Sequence, residues 1–169
     1  IEQVAKVIEA GGNTVLLLEH HGSEQAAMAI ASKIAGKTGC KLFNSTFPAR
    51  VDGGPGRVAV ERLPYFPEQV LSTLSEVKNL ILVGGEIPAS FFAYKNTPGQ
   101  LIPEGCQVSR LSFIEEDSID ALERLADRLG ANKFKTTYFE KQEIGKPTGE
   151  LNTKTIIQSL AATLPENVV

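Results

Sequence analysis

The chain has 169 residues, 42% of them hydrophobic, enough for one domain with its own core and a short additional arm. Its formal charge of -3, with no basic stripe, argues against nucleic acid or an anionic membrane surface as partner. The apolar runs are too short to span a bilayer, and two cysteines, Cys40 and Cys106, form neither a metal knuckle nor a disulfide framework, which suits free thiols in a reducing cytoplasm.

Residues 1–9 carry Ile1, Val4, Ala5 and Ile8 on one face of a short amphipathic helix, broken by Gly11-Gly12-Asn13. TVLLLE then reads as a strand buried on both faces, hence central and parallel. After HHGSE, a helix from about Glu24 to Ala35 packs through Ala27, Ile30, Ala31 and Ile34 and is closed by Gly36 and Gly39. CKLFN is a second strand, which completes a right-handed crossover unit. The stretch STFPARVDGGPGRVAVERLPYFP reads as mostly loop, with a turn at Asp52-Gly53-Gly54-Pro55.

A helix from about Pro67 to Ser75 leads into NLILVGG, which repeats the first pattern of an apolar strand running into glycines. A second long loop covers 90–106, and Val108–Phe113 is another strand. DSIDALERLADRLGA is a helix with Asp117 or Ser118 as cap and Gly130 as stop. Residues 132–150 read as a polar linker. Beyond them Asn152 or Thr153 caps a last helix with Ile156, Ile157, Leu160, Ala161 and Leu164 at helical spacing.

Strands alternating with helices predict an α/β domain, Rossmann-like and doubly wound, with a mostly parallel sheet over residues 1–131. Residues 132–150 would leave that domain and 151–169 would open the next. Neither end reads as natural: Ile1 is not an initiator methionine, and Val168-Val169 looks like the start of a buried strand. The expectation is a piece of a longer chain.

Ligands of open parallel sheets bind beyond the strands' C-terminal ends. Two loops qualify. In Glu19-His20-His21-Gly22-Ser23, Ser23 is a candidate helix cap, and the free N–H groups around Gly22 and Ser23 could hold a phosphate; a plain capped turn explains the same residues. In Gly84-Gly85-Glu86-Ile87-Pro88, the two glycines allow the backbone to approach a ligand or simply serve a turn. No G-x-G-x-x-G accompanies either loop.

His20 and His21 lack a third metal ligand at helical spacing, and there is no G-x-S-x-G nucleophile elbow. Glu115, Glu116 and Asp117 suit a helix N-terminus, and Glu123, Arg124, Asp127 and Arg128 a solvated face. No catalytic constellation emerges, and no metal site.

The order of pieces resembles the central domain of thiamine-diphosphate-dependent enzymes, the acetolactate synthase and benzoylformate decarboxylase superfamily. IEQVAKVIEAGGNTVLLLEHHGSE is similar to that domain's opening. NLILVGGEIPASFFAYKNTPGQLIPEGCQVSRLS, with its aromatic-Xaa-Tyr and Pro-Gly-Gln, and Phe47-Pro48-Ala49-Arg50 resemble the benzoylformate-decarboxylase-like branch. GELNTKTIIQSLAATLPENVV resembles the leading helix of the third, diphosphate-binding domain.

The resemblance implies a parallel sheet of about six strands, and a parent lyase or transferase that attacks 2-oxo acids through a cofactor ylid. It further implies that thiamine diphosphate and Mg2+ are bound outside this segment: the activating glutamate lies in the first domain and the Gly-Asp-Gly…Asn motif in the third. No catalytic residue is carried over. The implied partners are the other domains of the same chain and further copies, as a cytoplasmic homo-oligomer, dimer or tetramer. Some members bind FAD or ADP in the central domain and others bind nothing; FAD-holding members usually carry glycines where this chain reads EHHGS. Two alternatives stay open: a stand-alone FAD- or ADP-binding module using Gly22, Ser23, Gly84 and Gly85, and a small hydrolase or transferase acting through His20 or His21.

Overall fold

The computed structural model describes residues 1–93 and 95–165. The chain divides into two compact units, Ile1–Phe139 and Glu140–Val169.

In the first unit, α1 (Glu2–Glu9) leads through Gly11 and Gly12, both at positive φ, into β1 (Thr14–Leu18). A 3-10 turn (His20–Ser23) precedes α2 (Gln25–Thr38) and β2 (Lys41–Asn44). Next come β3 (Glu61–Arg62), α3 (Pro67–Leu74) and β4 (Asn79–Val83). β5 (Gln107–Ser112), α4 (Ser118–Leu129) and a second 3-10 turn (Ala131–Lys133) follow.

The five strands are ordered β3-β2-β1-β4-β5 and every pairing is parallel. β1 and β4 are central, with Leu16 opposite Ile81, and all five residues of each are buried. Alternation along the strands divides their side chains between two cores. Leu16, Leu18, Ile81 and Val83 join Val4, Ala27, Met28, Ile34, Leu122 and Leu125 of α1, α2 and α4. Val15, Leu17, Leu80 and Leu82 join Val70 and Leu74 of α3 together with Leu63 and Leu101. Helices cover both faces, which is why these strands carry apolar side chains without interruption. At roughly 1.5–3 kcal/mol for each buried Leu, Ile or Val, the two cores are the main source of stability.

The fold is the expected doubly wound α/β sheet, with one fewer strand than the six implied by the resemblance. The middle segment supplies only the two exposed residues of β3. Among the described residues, the long loop after β4 supplies a single antiparallel bridge, Ala89 to Gln100.

Helix limits follow local chemistry. The Asp117 carboxylate accepts from the N–H groups of Ile119 and Asp120, and Gly130 ends α4 at φ 66°. Pro67 opens α3, where its missing N–H costs nothing. Gly36 does not stop α2. The helix runs to Thr38, Phe134 packs 3.6 Å from where a Gly36 Cβ would stand, and Gly39, at φ 76°, makes the stop.

The first unit extends past residue 131. Thr136 Oγ1 donates to the Ala29 carbonyl at 3.2 Å, and the Thr137 N–H donates to Ser32 Oγ at 3.0 Å. The Phe139 N–H reaches the Arg57 carbonyl at 2.8 Å, and its own carbonyl accepts from Gly56 at 2.9 Å. The stretch predicted to begin a linker is thus hydrogen-bonded to α2 and the middle loop.

The second unit contains α5 (Thr153–Thr163). Asn152, one of the two predicted caps, closes a capping box with Thr155: its side chain accepts from the Thr155 N–H at 3.1 Å, and Thr155 Oγ1 accepts from the Asn152 N–H at 2.9 Å. No residue of α5 is buried, and Ile156, Ile157 and Leu160 are exposed. The strand expected to begin at Val168 lies outside the described residues.

Candidate functional site

Strand order reverses between β1 and β4, so the crevice beyond their C-terminal ends is the ligand position of this sheet type. The structure brings all four predicted residues, Gly22, Ser23, Gly84 and Gly85, to that crevice and buries them. It joins them to each other and to the chain itself.

The Glu19 N–H donates to the Val83 carbonyl at 3.0 Å, and Gly22 N–H to the Glu19 carbonyl at 2.7 Å. A Cβ at Gly22 would stand 2.7 Å from the Val83 carbonyl oxygen. One at Gly84, whose φ is +73°, would stand 2.8 Å from both the Glu19 carbonyl oxygen and Ser118 Oγ. Glycine is required at both positions because main chain meets main chain there. A Cβ at Gly85 would collide with the Glu19 side chain.

Ser23 is not a helix cap. Glu24 holds the N-cap position of α2, with no capping side-chain bond. The Ser23 hydroxyl, 2% exposed, lies 3.0 Å from the Leu18 carbonyl and 3.1 Å from Asn44 Oδ1. It ties the end of β1 to the end of β2. On the other side Ser118 ties the first turn of α4 to the end of β5, its Oγ lying 2.9 Å from Ser112 Oγ.

Glu19 lies in the first strand-end loop, and no sequence motif marks it. Its carboxyl accepts from the Glu86 N–H at 3.4 Å and is also hydrogen-bonded by the Ser45 side chain. Burial pushes it above the usual carboxylate range, against the lowering effect of those bonds. Arg110 holds the same β4 loop from outside: it donates to the Gly85 carbonyl and, at 2.7 Å, to Glu86 Oε2, with its guanidinium 4.5 Å from the Phe113 ring centre. That contact holds the Glu86 carboxyl below its usual range.

Beside the crevice lies a cavity of about 620 Å3, lined by His20, Ser23, Ala26 and Ala49 among others. Several of its polar groups are engaged with one another. Arg50 pairs with Asp52 at 3.1 Å, and His21 Nδ1 lies 2.8 Å from Glu24 Oε1. The Gln25 amide donates to the Asp52 carbonyl and accepts from the Val58 N–H. Among the described residues no group of three or more His, Cys, Asp or Glu is placed to hold a metal.

The third feature of this edge is aromatic. Phe47, Tyr65, Phe66 and Phe91 follow β2, β3 and β4 and are exposed, yet their rings touch. Phe47 and Phe91 centres are 4.9 Å apart, Tyr65 stacks on Phe91 at 6.0 Å, and Phe66 meets Tyr65 edge-on at 5.1 Å. The partner residue in the aromatic-Xaa-Tyr motif, Tyr94, lies outside the described residues. No helix among the described residues is long and apolar enough to cross a membrane.

No protein-family model matches the chain. It is 33% identical over 166 residues to a candidate acetolactate synthase large subunit, IlvX, of Mycobacterium tuberculosis. That match covers 98% of this chain and 32% of the relative, so the chain spans about a third of the relative's length. The fold is similar to a thiamine diphosphate-dependent 4-hydroxybenzoylformate decarboxylase of Rhodococcus jostii RHA1, with TM-score 0.62 and 18% identity over 99% of this chain and 34% of that one. It is also similar to a candidate thiamin diphosphate-dependent enzyme isolated from Mycobacterium smegmatis, with TM-score 0.56 and 24% identity over 74% of this chain and 26% of that one.

The likeness runs along nearly the whole chain and is the resemblance read from its sequence: to an acetolactate synthase-like relative in sequence, and to thiamine diphosphate-dependent enzymes in fold.

Proposed function

We propose that this chain is the central, mainly structural domain of a thiamine-diphosphate-dependent lyase or transferase acting on 2-oxo acids, acetolactate synthase-like or benzoylformate decarboxylase-like. The observation that carries the reading is the likeness along nearly the whole chain to an acetolactate synthase-like relative three times longer. In this reading the domain contributes no catalytic residue. Thiamine diphosphate, with Mg2+, supplies the carbanion chemistry and is held by other parts of the enzyme.

Two surface features support a role among other domains. The ring cluster of Phe47, Tyr65 and Phe91 and the apolar side of α5 are both exposed, and contiguous exposed apolar surface generally marks an interaction face. The partners are then the remaining domains of the same chain, in a cytoplasmic homo-oligomer; the free thiols Cys40 and Cys106 suit a reducing compartment.

The test is to read the coding sequence on both sides of this segment and assay the full-length protein. A glutamate-bearing domain upstream and a Gly-Asp-Gly followed by Asn downstream are expected. So is release of CO2 from a 2-oxo acid that depends on added thiamine diphosphate and Mg2+. Start and stop codons just outside residues 1–169 would sink the reading.

A further inference from the structure

Open α/β sheets bind a nucleotide diphosphate at their strand ends. The residues present do not fit one. The opening between β1 and β4 is bridged by main chain, through the Glu19 N–H on the Val83 carbonyl and the close approach of Gly22 and Gly84. Over that bridge lies the Glu19 side chain, against Gly85. From the end of β1 its carboxyl reaches the Glu86 N–H after β4 and the Ser45 side chain after β2. Donors of this kind at strand ends are what a bound phosphate uses in open α/β sheets.

The neighbouring cavity offers no substitute. Its lining holds one guanidinium, Arg50, which is already paired with Asp52, and Glu24 adds a second carboxylate. Diphosphate brought there would meet two carboxylates against one guanidinium, which is unfavourable at these short separations.

We infer that the Glu19 side chain is a built-in plug that occupies the donors of the strand-end crevice and closes it to nucleotide diphosphates, so that this domain holds neither FAD nor ADP. The inference stands apart from the proposed reaction: it concerns this domain's own crevice and holds for any 2-oxo acid substrate, or none.

Titration calorimetry of the full-length protein with ADP and then FAD is the test. No saturable binding is expected below ~1 mM ligand. Glu19→Ala vacates the crevice and is expected to bind ADP at least ~10-fold more tightly than the parent protein. Glu19→Gln keeps the bulk and an acceptor oxygen for the Glu86 N–H, and is expected to stay as closed as the parent. Micromolar binding of ADP or FAD by the unaltered protein would overturn the inference, whatever the variants do. So would a folded Glu19→Ala with no gain, or a Glu19→Gln that binds ADP as tightly as Glu19→Ala.

Discussion

Arg128, near the end of α4, donates from Nε and Nη2 to both carboxylate oxygens of Glu2, 126 residues earlier, at 2.8 and 3.0 Å. The same guanidinium donates to Glu9 at the other end of α1. One side chain thus clasps both ends of the first helix. The sequence placed Arg128 on a solvated face, and the clasp is indeed at the surface, but it is a bidentate network rather than a lone pair.

Replacing Arg128 with alanine is expected to lower the melting temperature modestly and to speed amide exchange in α1. The deficit should shrink in ~1 M salt, where charges are screened beyond about 3 Å. The pH dependence has a definite sign. Arg128 holds the Glu2 carboxyl below its usual range, so the contribution is complete above the ordinary glutamate pKa. It fades as pH falls through the depressed value. Arg128 itself is raised further and stays charged throughout. Equal acid sensitivity in wild type and Arg128→Ala would contradict this.

Gly84→Ala should be among the most damaging single-methyl additions in the domain. The new Cβ meets a backbone oxygen at 2.8 Å, at a φ that side chains rarely adopt. A loss of about 2–4 kcal/mol is expected, from overpacking together with the left-handed backbone. Chemical denaturation measures it. A loss no greater than that of Gly53→Ala, which has open space around it, would mean the strand-end loops are not packed as described.

Ser23→Ala separates a helix cap from an interstrand tie. In the structure the substitution leaves Asn44 Oδ1, in a residue with 0% exposure, without its hydroxyl partner. An unsatisfied buried acceptor costs roughly 1–3 kcal/mol. A double-mutant cycle with an Asn44 variant should show strong coupling between the two positions. Additive effects would point back to a purely local role at the turn.

Glu19→Gln is expected to be at least as stable as the parent protein at neutral pH. Burial raises the folded-state pKa of Glu19, so the folded state binds the proton more tightly than the unfolded one. Stability contributed by this group falls as pH rises from the ordinary glutamate range through the raised value. The amide variant cannot titrate, and its stability profile should lack that decline. A parallel decline in both proteins would assign it to other groups.

Much of this architecture is legible in the residues. TVLLLE and NLILVGG are apolar without interruption because each of their strands is covered on two faces. Asp117 and Gly130 frame α4 through local hydrogen bonds that need no tertiary context. Gly36 misleads because its conformation is helical and only the approach of Phe134, 98 positions later in number, explains the missing side chain. β3 is two charged residues with no alternation to detect. Residues 134–139 look like linker because they are held largely by backbone hydrogen bonds, which composition does not register. At the strand ends, the glycines are visible in the sequence but what they approach is not. That depends on Glu19, Val83 and Ser118, which come from the turn after β1, the end of β4 and the first turn of α4.

The central pairing of the sheet also bears on how the chain folds. Asn79 of β4 bonds to Thr14 of β1 across 65 positions, so the middle of the sheet is completed only when a long loop closes. Such non-local pairing slows folding, because loop entropy is lost before strand contacts are gained. Until β4 arrives, β1 presents Val15 to Leu18 on an open edge, a short, uncharged β-forming run of the kind that self-associates. Refolding yield should therefore depend on protein concentration even though the finished sheet hides that strand completely.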